Sequence, residues 1–289
     1  MRTRILNKLT NHEVEQYLEK NDLIFLPIGT IETHGGLPLD AETILAEAIC
    51  TRLAEKADGL LLTGLNYFYA GATMVGRGTV QISTAAGAAY LSKLAGSLLR
   101  QGFRRQVYIT FHGPSALTIG PMIRDFYERT KVPLLYLDGS HLALRWKGGE
   151  PLMKTNDDHT NIFLGAYKLM SQLDMVPLNV PESNSQHYSD SLFTAMSGKT
   201  DFMKPMQARG NHSGCVGYYF GYPYEHGSTV LVATEAEREA RADAGIRLID
   251  QVVERMDIKN VVDILRQVDK YTQDEILARY GDWMFDSLY

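Results

Sequence analysis

Cysteine is nearly absent. Cys50 and Cys215 stand alone and far apart, so neither a disulfide framework nor a four-cysteine zinc site can be built, and two buried reduced thiols are the simpler reading. A basic surplus is also missing: 29 Lys and Arg face 34 Asp and Glu, for a formal net charge of -5, which gives little with which to neutralise phosphates and argues against nucleic acid as a partner. Nowhere do about eighteen uncharged apolar residues run together, and the opening MRTRILNKLTNHEVEQYLEK has no apolar centre of a signal peptide. The expectation is a cytoplasmic protein without membrane association. Internal repeats and low-complexity tracts are lacking as well. What remains is 289 residues, 45% of them hydrophobic, enough to bury a large core within one α/β domain spanning 1–289.

Apolar runs bounded by turn residues recur at 23–28, 60–65, 106–111 and 132–137, separated by segments of helical spacing at 43–57, 85–101 and 119–130. That alternation predicts βαβ units around a mostly parallel sheet. EAEREARADAGIRLIDQVVER, at 235–255, carries the densest i,i+4 charge pairing and predicts a helix with a solvated outer face. Between 177 and 227 the texture becomes irregular and rich in Ser, Asn, Gly, His and Tyr, which suggests a functional cover or an assembly element. The tail at 270–289 ends with Tyr280, Trp283, Met284, Phe285, Leu288 and Tyr289 close together, aromatics that predict docking on the chain's own core or on a neighbouring subunit.

Ligands of an open parallel sheet gather beyond the carboxyl ends of its strands. Two of the runs end in loops with ligand-type residues there. The first is LPIGTIETHGGLPLDAETILAEA, where Glu32 and His34, if locally extended, point to one face at i,i+2 spacing, and Asp40 and Glu42 follow at a helix start. The second places His112 after QVYIT, with Gly113 letting the backbone turn away. Taken singly, His112 reads equally as a polar core residue, and Asp40 and Glu42 as an N-cap and a first-turn acid. Their convergence at two strand ends is what points to a metal.

These stretches together resemble the creatininase (creatinine amidohydrolase) family. The first is similar to that family's signature over nearly its whole length. YFYAGATMVGRGTVQIS, QGFRRQVYITFHGPSA and GSTVLVATEAERE then follow in the family's order, so that the resemblance covers about residues 20–255. It implies a three-layer α/β/α fold and a two-metal hydrolytic site, with zinc the first choice and manganese or magnesium at a second position. A closed homo-oligomer, a hexamer or another assembly, is implied as well. By position Glu32, His34 and His112 match metal ligands. For the bridging carboxylate, register favours Glu42 and residue type favours Asp40. Two ligand positions of the family are changed, to Pro114 and, in NDDHTNIFLGAYKLM, to Leu164. Asp158, Glu225 or the spare member of the Asp40/Glu42 pair are the substitutes the sequence offers.

The activity implied is that of a hydrolase opening a small cyclic substrate, a cyclic amide or related carbon-nitrogen bond, by attack of metal-bound water on a carbonyl. His159, matching a family histidine, is the candidate acid for the leaving atom, and Glu42 shares in the chemistry. Tyr224, Glu225 and His226 are candidates for substrate binding, within a polar set that includes His187, Tyr188, Asn211 and His212. Two rivals stand beside this expectation: a carbon-carbon bond hydrolase opening a cyclic polyol ketone of the oxidised inositol type, and a non-catalytic metal-binding relative whose ligand set has degenerated.

Overall fold

A computed structural model describes residues 1–71, 73, 77–144, 149–179 and 232–281. Most of the irregular 177–227 segment and the last eight residues of the tail therefore lie outside the described residues. Four parallel strands, β1 (Leu23–Pro27), β2 (Leu60–Leu61), β3 (Arg105–Thr110) and β4 (Leu135–Asp138), form one sheet in the order β2-β1-β3-β4. The central strands β1 and β3 are buried along their whole length, as strands of a parallel sheet covered on both faces must be.

Period-two alternation divides the sheet's side chains between two cores. Leu23, Phe25, Val107 and Ile109 face one layer of helices: α2 (Ala41–Ala57), α6 (Asn156–Leu169), α7 (Glu235–Arg255) and α8 (Ile258–Tyr271). Ile24, Leu26, Ile28 and Tyr108 face the other: α1 (Asn11–Leu18), α3 (Thr84–Arg100) and α4 (Ala116–Thr130). A short α5 (Gly139–Leu144) follows β4. The result is the three-layer α/β/α arrangement that the alternation of strands and helices predicts.

Two strands are shorter than their apolar runs, for identifiable reasons. β2 pairs with β1 only at Leu60 and Leu61, after which Gly64 turns the chain at φ 88° and its amide bonds Glu47 on α2. In the run at 132–137, Pro133 has no N–H to offer a ladder, and β4 begins at Leu135. The helices at 43–57 and 119–130 begin earlier than predicted, at Ala41 and Ala116, whereas α7 has the predicted bounds.

The layer that carries α6 depends on a close helix crossing. A Cβ added to Gly245 of α7 would lie 1.7 Å from the Asn161 carbonyl oxygen, and one added to Gly165 of α6 would lie 2.4 Å from the Gly245 carbonyl carbon. Backbone meets backbone there, which sets how near α6 comes to the sheet end. Among the described residues no helix is long and apolar enough to cross a membrane.

Candidate metal centre

Beyond β1 the chain stays non-helical through Thr30, Ile31, Glu32 and His34, tied by the bridge from Ile31 to Val80 and by the Glu32 amide donating to Leu39 O at 2.9 Å. The turn at Gly35 and Gly36 closes with Leu37 donating to His34 O at 3.1 Å. α2 then starts, and its first turn brings Glu42 back over the same spot. β3 ends alongside and delivers His112. Glu32 and His112 are fully buried, His34 is 3% exposed and Glu42 6% exposed.

Within this pocket the ligand atoms of Glu32, His34 and Glu42 lie within 4.8 Å of one another. His34 Nε2 is 3.5 Å from Glu42 Oε1. His112 Nδ1 is 2.9 Å from Glu32 Oε1 and 2.5 Å from Glu42 Oε2, yet a proton on it lines up with neither oxygen as a hydrogen bond. Its other nitrogen, Nε2, lies 3.0 Å from the Tyr69 carbonyl oxygen. Since a carbonyl only accepts, Nε2 carries a hydrogen, which leaves Nδ1 as the nitrogen turned toward both carboxylates and, with the ring neutral, as the one able to bind a cation. Nδ1 and the two carboxylate oxygens thus crowd one another inside the pocket.

Charge makes the same case. Burial alone would lower the basicity of His112, but the charges of Glu42 and Glu32 override it and hold its pKa well above the usual histidine range. His34 is raised too: burial opposes protonation, and the hydrogen bond and charge of Glu42 outweigh it. For Glu42 burial pushes upward, and His112 and His34 bring its pKa well below the ordinary carboxylate value. Two buried carboxylates need two positive charges nearby. A pair of imidazoliums supplies them, and so does one divalent cation held by neutral imidazoles. The mixed nitrogen and oxygen donors suit zinc or manganese. The residues present fit a metal.

Hydroxyls hold the carboxylates in place. Thr30 Oγ1 is 2.9 Å from Glu32 Oε1 and 3.0 Å from Glu42 Oε2, and Thr73 Oγ1 donates to Glu32 Oε2. None of Thr30, Thr73 and Tyr69 was singled out from the sequence. Thr30 had a legible signal, because it precedes Glu32 by the same two-residue step that joins Glu32 to His34. Thr73 and Tyr69 come from a separate loop and had none.

Asp40 is placed differently from Glu42. It stands at the cap position of α2, but its side chain makes no cap bond; Oδ1 accepts from the Tyr167 hydroxyl at 2.5 Å. His159 lies in the first turn of α6 and is exposed. The ring of Phe163 packs against both histidines, 5.8 Å from the His159 ring and 5.3 Å from the His34 ring. Tyr224, Glu225 and His226 lie outside the described residues, as do His187, Tyr188, Asn211 and His212.

A family model described as Creatinine amidohydrolase matches residues 7–257. The chain belongs to the creatininase family. Among curated relatives, 3-dehydro-scyllo-inosose hydrolase of Thermotoga maritima is 26% identical over 132 residues, 45% of this chain and 42% of that protein. Creatinine amidohydrolase of Pseudomonas putida is 28% identical over 121 residues, 39% of this chain and 46% of that protein. The matched stretches thus span less than half the length of either relative. A solved structure described as Creatininase Mn shares the fold at a TM-score of 0.55 and 18% identity, covering 92% of this chain and 98% of that one.

Neither residue at the two positions where the resemblance implies a changed ligand has a side-chain donor atom. Pro114 sits half-buried in the 3-10 turn Gly113–Ser115, and Leu164 is fully buried in the core beneath α6. Asp158 is engaged elsewhere: its Oδ2 accepts from the Lys154 and Thr155 amides at 2.9 and 3.0 Å.

Proposed function

We propose that this creatininase-family chain is a metal-dependent hydrolase that opens a small cyclic substrate at a carbonyl, cleaving a cyclic amide or related carbon-nitrogen bond. The observation that carries this reading is the buried cluster in which ligand atoms of Glu32, His34 and Glu42 lie within 4.8 Å of one another, with His112 Nδ1 beside Glu32 Oε1 and Glu42 Oε2. Glu32, His34 and His112 would hold the metal, zinc by first choice, together with Glu42 rather than Asp40. A second position, for manganese or magnesium, would gain no donor from Pro114 or Leu164. When bound, a divalent cation supplies Lewis acidity, bringing the pKa of water toward neutrality and polarising the carbonyl.

The chain's own residues do the rest. Thr30 and Thr73 orient the carboxylates, and the Tyr69 carbonyl fixes the His112 tautomer. From the first turn of α6, His159 donates the proton that the leaving atom requires. Tyr224, Glu225 and His226 bind substrate in this reading, on sequence grounds. The chain works as a closed homo-oligomer, which light scattering tests: a mass equal to one 32.4 kDa chain at micromolar concentration would refute it.

A second reading is favoured by the similarity to the inosose hydrolase and by the two altered ligand positions: ring opening of a cyclic polyol ketone at a carbon-carbon bond. Purified, metal-supplemented protein assayed on panels of cyclic amides and of oxidised cyclitols separates the two readings. Turnover of the cyclitol panel alone would overturn the first, and inactivity on both with no bound metal would mark the chain as a degenerate relative.

A further inference from the structure

The inference that follows rests on the metal reading above and concerns a residue that would not touch the metal. Thr30 is fully buried, and its single hydroxyl faces an oxygen from each carboxylate, Glu32 Oε1 at 2.9 Å and Glu42 Oε2 at 3.0 Å. These are the same two oxygens that flank His112 Nδ1. A hydroxyl has one proton, so it donates to one carboxylate at a time and cannot neutralise either. What it can do is hold both oxygens at fixed places before a cation arrives.

Its own place is unusually well determined. Thr43 Oγ1, in the first turn of α2, donates to the Thr30 carbonyl at 2.9 Å. The preceding residue is Gly29, where an added Cβ would fall 2.2 Å from Thr43 Oγ1 and 2.5 Å from Thr43 Cα. The strand end is therefore pressed onto the helix that carries Glu42. Branching at Cβ restricts the Thr30 rotamer, so the hydroxyl has little freedom to look elsewhere.

We propose that Thr30 is the positioning residue that gathers Glu32 and Glu42 into one donor set, and that its hydroxyl sets metal affinity by preorganising two carboxylates supplied by different elements. Groups that orient ligand side chains typically contribute about 10–100-fold to metal affinity. Threonine to valine keeps the shape and branching and deletes only the hydroxyl; threonine to serine keeps the hydroxyl.

The test is a chelator-competition titration of Zn²⁺ and, separately, Mn²⁺ into metal-free full-length wild type, T30S and T30V, with folding checked by circular dichroism before metal is added. T30V is expected to bind about 10–100-fold more weakly, with T30S close to wild type. Equal affinity of folded T30V and wild type overturns the proposal. So does T30S binding as weakly as T30V, since the hydroxyl would then be irrelevant. If T30V does not fold, T30A takes its place, and failure of both to fold without metal assigns the hydroxyl to folding and overturns the proposal as well. Wild type that binds neither metal is a different result, which removes the metal reading itself.

Discussion

Two helices open onto the site, and both begin with acidic residues that they use in opposite ways. At the start of α6, Thr155 and Asp158 form a capping box, the Thr155 hydroxyl accepting from the Asp158 amide at 3.1 Å and the Asp158 carboxylate accepting from the Thr155 amide. That end is satisfied locally and faces solvent. At the start of α2, Asp40 sits at the cap position without capping, because Tyr167 holds its carboxylate, and Glu42 turns inward onto two histidines. A helix N-terminus favours a negative charge in its first turn, so Glu42 keeps that benefit while serving the pocket. The local capping rules are obeyed at the start of α6 and set aside at the start of α2, where Glu42 joins the buried cluster.

The sharpest way to break this contrast is at its two carboxylates. Glu42→Gln should abolish stable metal binding and activity with it, whereas Asp40→Asn should leave metal content near wild type, as elemental analysis of both purified variants would show. Equal retention in the two would remove Glu42 from the donor set.

On the α6 side the expected loss is in chemistry. His159→Ala should keep its metal and its fold while kcat falls by about two to four orders of magnitude, the usual worth of a positioned acid. Substrates with better leaving groups should suffer less. An unchanged kcat would reduce His159 to an ordinary helix-start residue.

Much of this was legible locally. Glu32, His34 and Glu42 lie within eleven residues of one another, so strand-end position and two-residue spacing bring them together without knowledge of the rest of the fold. The bounds of α7 were legible because Thr234 accepts from the Glu237 amide at its start and the charge pattern runs its whole length. What stayed hidden depends on partners distant in sequence. The Asp40 carboxylate reads as a cap until Tyr167, on α6, is brought against it. Thr73 and Tyr69 enter the pocket only through the packing of their loop on β1 and β3. Gly165 and Gly245 look like weak points in two helices and prove to be the contact between them.

That contact gives the next prediction in size. Gly245→Ala forces a methyl against the Asn161 carbonyl and should destabilise the chain by about 1–3 kcal/mol, the usual range for overpacking, measured by denaturant unfolding. If α6 is seated by this crossing, the variant should also lose activity while its metal content holds. The smallest effect belongs to the capping box: Thr155→Ala should cost about 1 kcal/mol of stability and leave metal affinity unchanged. A matching loss of metal affinity would show that the two helix starts are coupled and not separate devices.

The most direct test of the central claim is anomalous scattering from crystals of the zinc-supplemented protein. A strong zinc peak among Glu32, His34, Glu42 and His112, with the Thr30 hydroxyl behind the two carboxylates, is the predicted result. A zinc-replete crystal with no peak in that pocket, or with the peak held by Asp40 instead of Glu42, would contradict it.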